Sequence, residues 1–326
     1  MNNNASIHLT NGLGDKLLDL VGFSVLCKYL NYKPHFKIVN NGQQPWGTPT
    51  YDTRLFEFGN DVTCLNDVDV DEAPTCNFYV NSPNPSSSLC PYKVYRFIEN
   101  FLPEITFEQI SNDFVVESKK IISPSQLILS HIPVGIERAY GIHLRKSDKV
   151  SDMCDIRHEN TRSEFTLIIN KLLEDVKNII LTETEPMFLI VSEDDQWKKE
   201  VSRMVSMMSE NANKPIKILN LDYTNENNHF NYSSVLDMFC LSKCKEILQG
   251  VKYSSFSILA SLLGNNKVRN YVKYCNTHDI CLIHTWSSVL EINNENKNFD
   301  KVKHDACCTT KVLTIKTNIN QIFTPS

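Results

Sequence analysis

Apolar positions along this chain fall into two alternating kinds of block. Short runs at Ser6–Leu9, Phe36–Val39, Ala139–Leu144, Met187–Val191, Ile216–Leu219, Glu246–Leu248 and Val268–Val272 have strand length and are bounded by polar or turn-forming residues. Between them lie longer stretches with apolar residues three and four apart. From Asp15 onward these are Leu17, Leu18, Val21, Val25, Leu26 and Tyr29. In Ser163–Ile180 they are Phe165, Ile168, Ile169, Leu172, Leu173 and Val176, and in Gln196–Met208 they are Trp197, Val201, Met204, Val205 and Met208. Ser233–Lys243 and Ser255–Leu263, the latter stopped by Gly264, read the same way, as do Pro91–Leu102 and Ser123–Ser130. Strand and helix in strict alternation predict a parallel sheet covered on both faces, so the fold class is α/β. Regular signals fade from Asn41 to Leu89, where five prolines sit among Asn, Asp and Ser. They fade again after Tyr274, and Asn293–Asn298 reads as exposed. The expected organisation is an N-terminal α/β domain over 1–136, a second over 137–285, and a tail over 286–326 that crosses back to the first.

The 326 residues are enough for two domains with ample core, at 41% hydrophobic and 22% charged. A net charge of −5 supplies no global field for a nucleic-acid backbone, so an anionic ligand must be held by a local cluster. Met1-Asn2-Asn3-Asn4 lacks the basic and apolar regions of a secretory signal. The most apolar early stretch, Leu17–Leu30, carries Asp19 and Lys28 and is too short to span a bilayer, which predicts a buried amphipathic helix. A soluble, cytoplasmic protein is expected, without nucleic acid or membrane partners. The 11 cysteines form no Cys-x-x-Cys pair and read as reduced thiols, most of them buried as small hydrophobes. His304, Cys307 and Cys308 lack the spacing of a zinc site.

Candidate chemistry gathers where strands end. Gly141-Ile142-His143-Leu144-Arg145-Lys146-Ser147-Asp148-Lys149-Val150 is an apolar strand that closes in a burst of charge. Ligands of open α/β sheets bind beyond the carboxyl ends of strands, and a guanidinium there matches phosphate oxygens. The alternative is a solvated turn. His143 is either a hydrogen-bonded core histidine or a ligand contact. Asn11-Gly12-Leu13-Gly14-Asp15 joins the first strand to the first helix and suits a phosphate, or is a simple tight turn; the third glycine of the dinucleotide fingerprint is replaced by Leu17. Phe188–Asp195 ends in three carboxylates, of which Asp194 or Asp195 is read first as a helix cap. Ser254, Ser255 and Ser257 open a helix and offer an anion seat or an ordinary cap.

This order of motifs resembles the α-1,2/α-1,6/protein O-fucosyltransferase superfamily. The family's His-x-Arg-x-x-Asp at a strand end is matched by His143, Arg145 and Asp148, and the following Lys149-Val150 is similar to the α-1,6 branch. Gly12-Leu13-Gly14-Asp15 resembles the family's opening turn, and Ser192–Trp197 its Ser-Asp-Asp segment in the α-1,2 form. Asp237, Leu241-Ser242-Lys243-Cys244 and Ser254-Ser255-Phe256-Ser257 match a further segment, so that the likeness covers most of 137–264. The resemblance implies a GT-B fold, two Rossmann-like domains facing across a cleft, and inverting transfer of L-fucose from GDP-fucose to a glycan hydroxyl without metal or cofactor. It implies Arg145 on the pyrophosphate, His143 and Asp237 on nucleoside groups with Asp237 at the guanine edge, and Ser255 with Ser254 and Phe256 at the β-phosphate. Gly12, Gly14, Asp15 and Lys149 complete the donor side. Lys146 departs from the family's second arginine, and the acidic position after the motif falls at Met153 beside Asp152, leaving Asp148 or Asp152 as the general base. The rivals are another sugar nucleotide on the same fold, or a non-catalytic nucleotide-sugar or glycan-binding module. The acceptor domain would be the first and the donor domain the second.

Overall fold

The computed structural model describes residues 4–9, 12–38, 52–65, 78–80, 89–145, 150–151, 160–224, 229, 231–251, 254–271 and 292–293. Its first part runs β1 (Asn4–Leu9), α1 (Leu13–Leu30), β2 (Lys33–Ile38), β3 (Phe56–Phe58), β4 (Thr63–Cys64), β5 (Phe78–Val80), α2 (Pro91–Ile98), α3 (Phe107–Ile121), β6 (Ile122–Pro124) and α4 (Gln126–His131). The second runs β7 (Tyr140–Leu144), β8 (Val150–Ser151), β9 (Asn160–Thr161), α5 (Arg162–Thr182), β10 (Met187–Ser192), α6 (Asp195–Asn211), β11 (Lys217–Leu219), α7 (Tyr232–Lys243), β12 (Glu246–Gln249), α8 (Ser255–Gly264), β13 (Lys267–Asn270) and β14 (Ile292–Asn293). Both main sheets are wholly parallel, as the alternation of blocks requires. The first has the order β4-β2-β1-β5 and the second β11-β10-β7-β12-β13-β14. Counted from its first strand, the second is 3-2-1-4-5-6, the Rossmann order, and the first is its 3-2-1-4 part.

In β7 alternate side chains face opposite ways. Ile142 and Leu144 join Phe188, Ile190 and Leu248 under α5 and α6. Gly141 and His143 face the other way, where Leu241 of α7 packs over Gly141 and Ser257 of α8 meets His143. That second face belongs to one continuous core shared with the first sheet, through α1 and α3. Asp52 and His229, bonded at 2.6 Å, add a polar tie between the two halves of the chain.

Several expectations shift. Gly12-Leu13-Gly14 is not a free turn: Gly12 is the extended N-cap, Lys16 N–H donates to its carbonyl at 3.0 Å, and Gly14 lies inside α1. Nor is α1 amphipathic. It is buried almost all round, because sheet, α2, α3 and α8 enclose it. The segment 123–130 begins as strand, since β6 pairs antiparallel with β3, and only Ser125 starts the helix by capping Ile128 N–H. Helix α3 was not among the expected elements, although Thr106 and Gln109 form a capping box at its start. The helix from Pro91 stops at Ile98 rather than Leu102. The loop-rich segment contributes β3, β4 and β5. Where the tail is described it adds to the second sheet instead of crossing to the first: β14 pairs parallel with β13, with Ile292 opposite Val268. The rest of the tail, with His304, Cys307 and Cys308, lies outside the described residues.

Burial of α1 sets up a titration. Asp19 is buried and accepts Leu89 N–H at 2.6 Å, and desolvation pushes its carboxyl up to about 8 from an ordinary 3.8. Between those values the folded chain keeps a proton that the unfolded chain has lost, so stability falls as pH rises through the window. Unfolding free energy from urea titrations is expected to drop by about 1 kcal/mol per pH unit between pH ~5 and ~7, and Asp19→Asn to flatten that slope. Lys16, lowered by burial to about 8 from 10.5, acts in the opposite sense and only above that window.

Candidate functional site

In a 3-2-1-4-5-6 sheet the connections after the first and fourth strands leave in opposite directions, opening a crevice at their carboxyl ends. Here those strands are β7 and β12, paired with Gln249 opposite His143. Gly250 N–H donates to the His143 carbonyl at 2.8 Å, which fixes the exit of β12 beside that of β7. The chain then turns into α8, whose N-cap Ser254 accepts Ser257 N–H at 3.4 Å. Unpaired amides at such a helix start favour an anion.

The first domain brings its own helix start to this place. A Cβ on Gly14 would lie 2.5 Å from Phe256 N and 2.6 Å from the Ser255 carbonyl carbon. Backbone approach this close sets the first turn of α1 on the first turn of α8, so two positive helix ends converge. Gly12, by contrast, faces open space within 4 Å.

His143 and Arg145 sit at the end of β7 in this convergence. His143 is 5% exposed, its Nδ1 lies 2.6 Å from Ser257 Oγ, and its ring is tilted against Phe256 at 5.1 Å between centroids. Burial, aided by the Arg145 charge, drops its pKa to about 3. The imidazole is therefore neutral at any working pH, and the fixed cation here is the half-buried Arg145.

No family model and no curated protein matches the sequence. Solved structures do match its shape. NodZ α-1,6-fucosyltransferase co-crystallized with GDP gives a TM-score of 0.50 at 13% identity, over 81% of this chain and 93% of that one. The selenomethionine form of NodZ from Bradyrhizobium gives 0.50 at 14% identity over the same shares. A mutant of Arabidopsis thaliana FUT1 in complex with GDP gives 0.51 at 10% identity, over 82% of this chain and 70% of that one. The chain has the fold of these fucosyltransferases.

Within that fold the expected site residues separate into groups. His143, Gly14, Ser254, Ser255 and Phe256 are brought together by β7, α1 and α8, while Arg145 follows the end of β7 and Gly12 is the N-cap of α1 facing open space. Asp15 lies in the first turn of α1. Asp148, Lys149 and Asp152 lie outside the described residues, as does Lys146. Asp237 sits on α7 one turn before Leu241, which places it about 6 Å nearer the carboxyl edge than the Gly141 contact. Its Oδ1 accepts the Tyr223 hydroxyl at 2.7 Å, and Lys198 Nζ donates to that hydroxyl at 3.1 Å. Tyr223 and Lys198 carry no signal in the sequence, because Lys198 comes from the first turn of α6 and Tyr223 from the segment after β11, and neither shares a local pattern with Asp237. Asp194 caps α6 by accepting Trp197 N–H at 2.9 Å, the reading placed first for it. Among the described residues, no group of three or more His, Cys, Asp and Glu is arranged to hold a metal, and no helix is long and apolar enough to cross a membrane.

Proposed function

We propose that this chain is an inverting fucosyltransferase that takes L-fucose from GDP-fucose. One observation carries the reading: His143, with the Arg145 charge beside it, meets the start of α8 where the start of α1 packs on it, at the switch point of a fold shared with fucosyltransferases. In the step, an acceptor hydroxyl attacks the anomeric carbon from the side opposite GDP. A new C–O bond forms as the bond to the β-phosphate oxygen breaks, and that oxygen keeps the electron pair. The hydroxyl proton passes to Asp148 or Asp152. Arg145 and the amides of α8 balance the charge growing on the diphosphate, a task a divalent metal performs elsewhere. Asp237, oriented by Tyr223, would take the guanine edge, and Lys149 would add a second cation.

Calorimetric titration with GDP, UDP, GDP-fucose and GDP-mannose, all in EDTA, tests the donor. Micromolar binding of GDP and GDP-fucose in preference to UDP and GDP-mannose is the expected result. Preference for UDP, or binding only when metal is added, would overturn the reading. GDP binding with no release of GDP from GDP-fucose, even across an acceptor screen, would identify a binding module instead.

A further inference from the structure

His143 Nδ1 is bonded to Ser257 Oγ at 2.6 Å, and both residues are buried. Its Nε2 has no hydrogen-bond partner among the described residues. Phe256, the neighbour of Ser257, lies against the ring and restrains its rotation. Ser257 is itself fixed, since its amide donates to the Ser254 cap, and it is fully buried in α8. A neutral imidazole carries one proton, and the bond at one nitrogen decides which nitrogen holds it. Arg145 and the helix starts make this edge electropositive, so a ligand there presents acceptor oxygens. An unpartnered ring nitrogen that meets such oxygens must be N–H. Nδ1 is then bare, and the serine hydroxyl is its donor.

We propose that Ser257 is a positioning residue of the site: its hydroxyl donates to His143 Nδ1 and holds the ring as the Nε2–H tautomer, a hydrogen-bond donor toward the sugar-nucleotide beside Arg145. This rests on the proposed function for the identity of the ligand, while the tautomer itself is a property of the free protein.

The experiment is nitrogen NMR of protein labelled at its histidine side chains, with the His143 signals identified by their loss in His143→Gln, followed by GDP titration. Wild-type protein is expected to show bare Nδ1 and protonated Nε2. Ser257→Ala should give mixed tautomers and about tenfold weaker GDP binding, the size of one lost hydrogen bond. Ser257→Thr, which keeps the hydroxyl, should restore both. A wild-type proton on Nδ1 overturns the proposal even if the alanine variant does not fold. So does a folded alanine variant with unchanged tautomer and affinity. Failure of the wild type to bind GDP would instead sink the proposed function, and the nucleotide-free spectra would still decide the role of Ser257.

Discussion

Arg145→Ala is expected to cut fucosyl turnover by about 10²–10³-fold, the loss seen when one donor that balances developing charge is removed. The side chain leaves the end of β7 rather than its interior, so the strand ladders to β10 and β12 remain. His143 stays neutral in the variant, because burial is the larger cause of its low pKa and the Arg145 charge the smaller. The loss therefore belongs to the guanidinium itself. Arg145→Lys should fall between the two, keeping charge but losing the planar fork that grips two phosphate oxygens. Steady-state release of GDP from GDP-fucose in the presence of acceptor reads the effect. Near-wild-type turnover in the alanine variant would remove Arg145 from the mechanism.

Gly14→Ala should lower the unfolding free energy by about 3 kcal/mol, the upper end of the overpacking range. The atoms its Cβ would strike, Phe256 N and the Ser255 carbonyl carbon, are backbone and cannot swing aside like a side-chain tip. Relief requires α1 and α8 to separate where their starts form the site, so GDP affinity should fall with stability. Gly12→Ala is the control: nothing lies within 4 Å of its Cβ position, and its backbone is extended at φ −72°, which any residue adopts. Urea unfolding and GDP titration of the two variants should diverge. Equal effects would mean that the glycines act through chain flexibility rather than contact.

The legible part of this protein was the part written locally. Strand and helix lengths, the alternation that makes both sheets parallel, the Asp194 and Ser254 caps, and the strand ending in Arg145 all follow from neighbouring residues. Less legible were 56–64 and 122–124, whose strands exist only because β3 and β6, or β2 and β4, find one another across the chain. Helix α3 carries a readable start at Thr106 and Gln109, but its apolar stripe is too sparse to mark the rest of it.

Taken alone, the sequence determined the α/β class, the block boundaries to within a few residues, and the placement of charge just after a buried strand, because periodicity and capping are local physics. Only the tertiary structure decided what those pieces do together. It turned Gly14 from a turn residue into the contact between two helix starts, and Ser257 from a helix residue into the partner of His143. It also joined Lys198, Tyr223 and Asp237 into one hydrogen-bonded row. Each of these depends on residues far apart in the chain meeting at one sheet edge. Their proximity is set by strand order and helix packing, which no local pattern encodes.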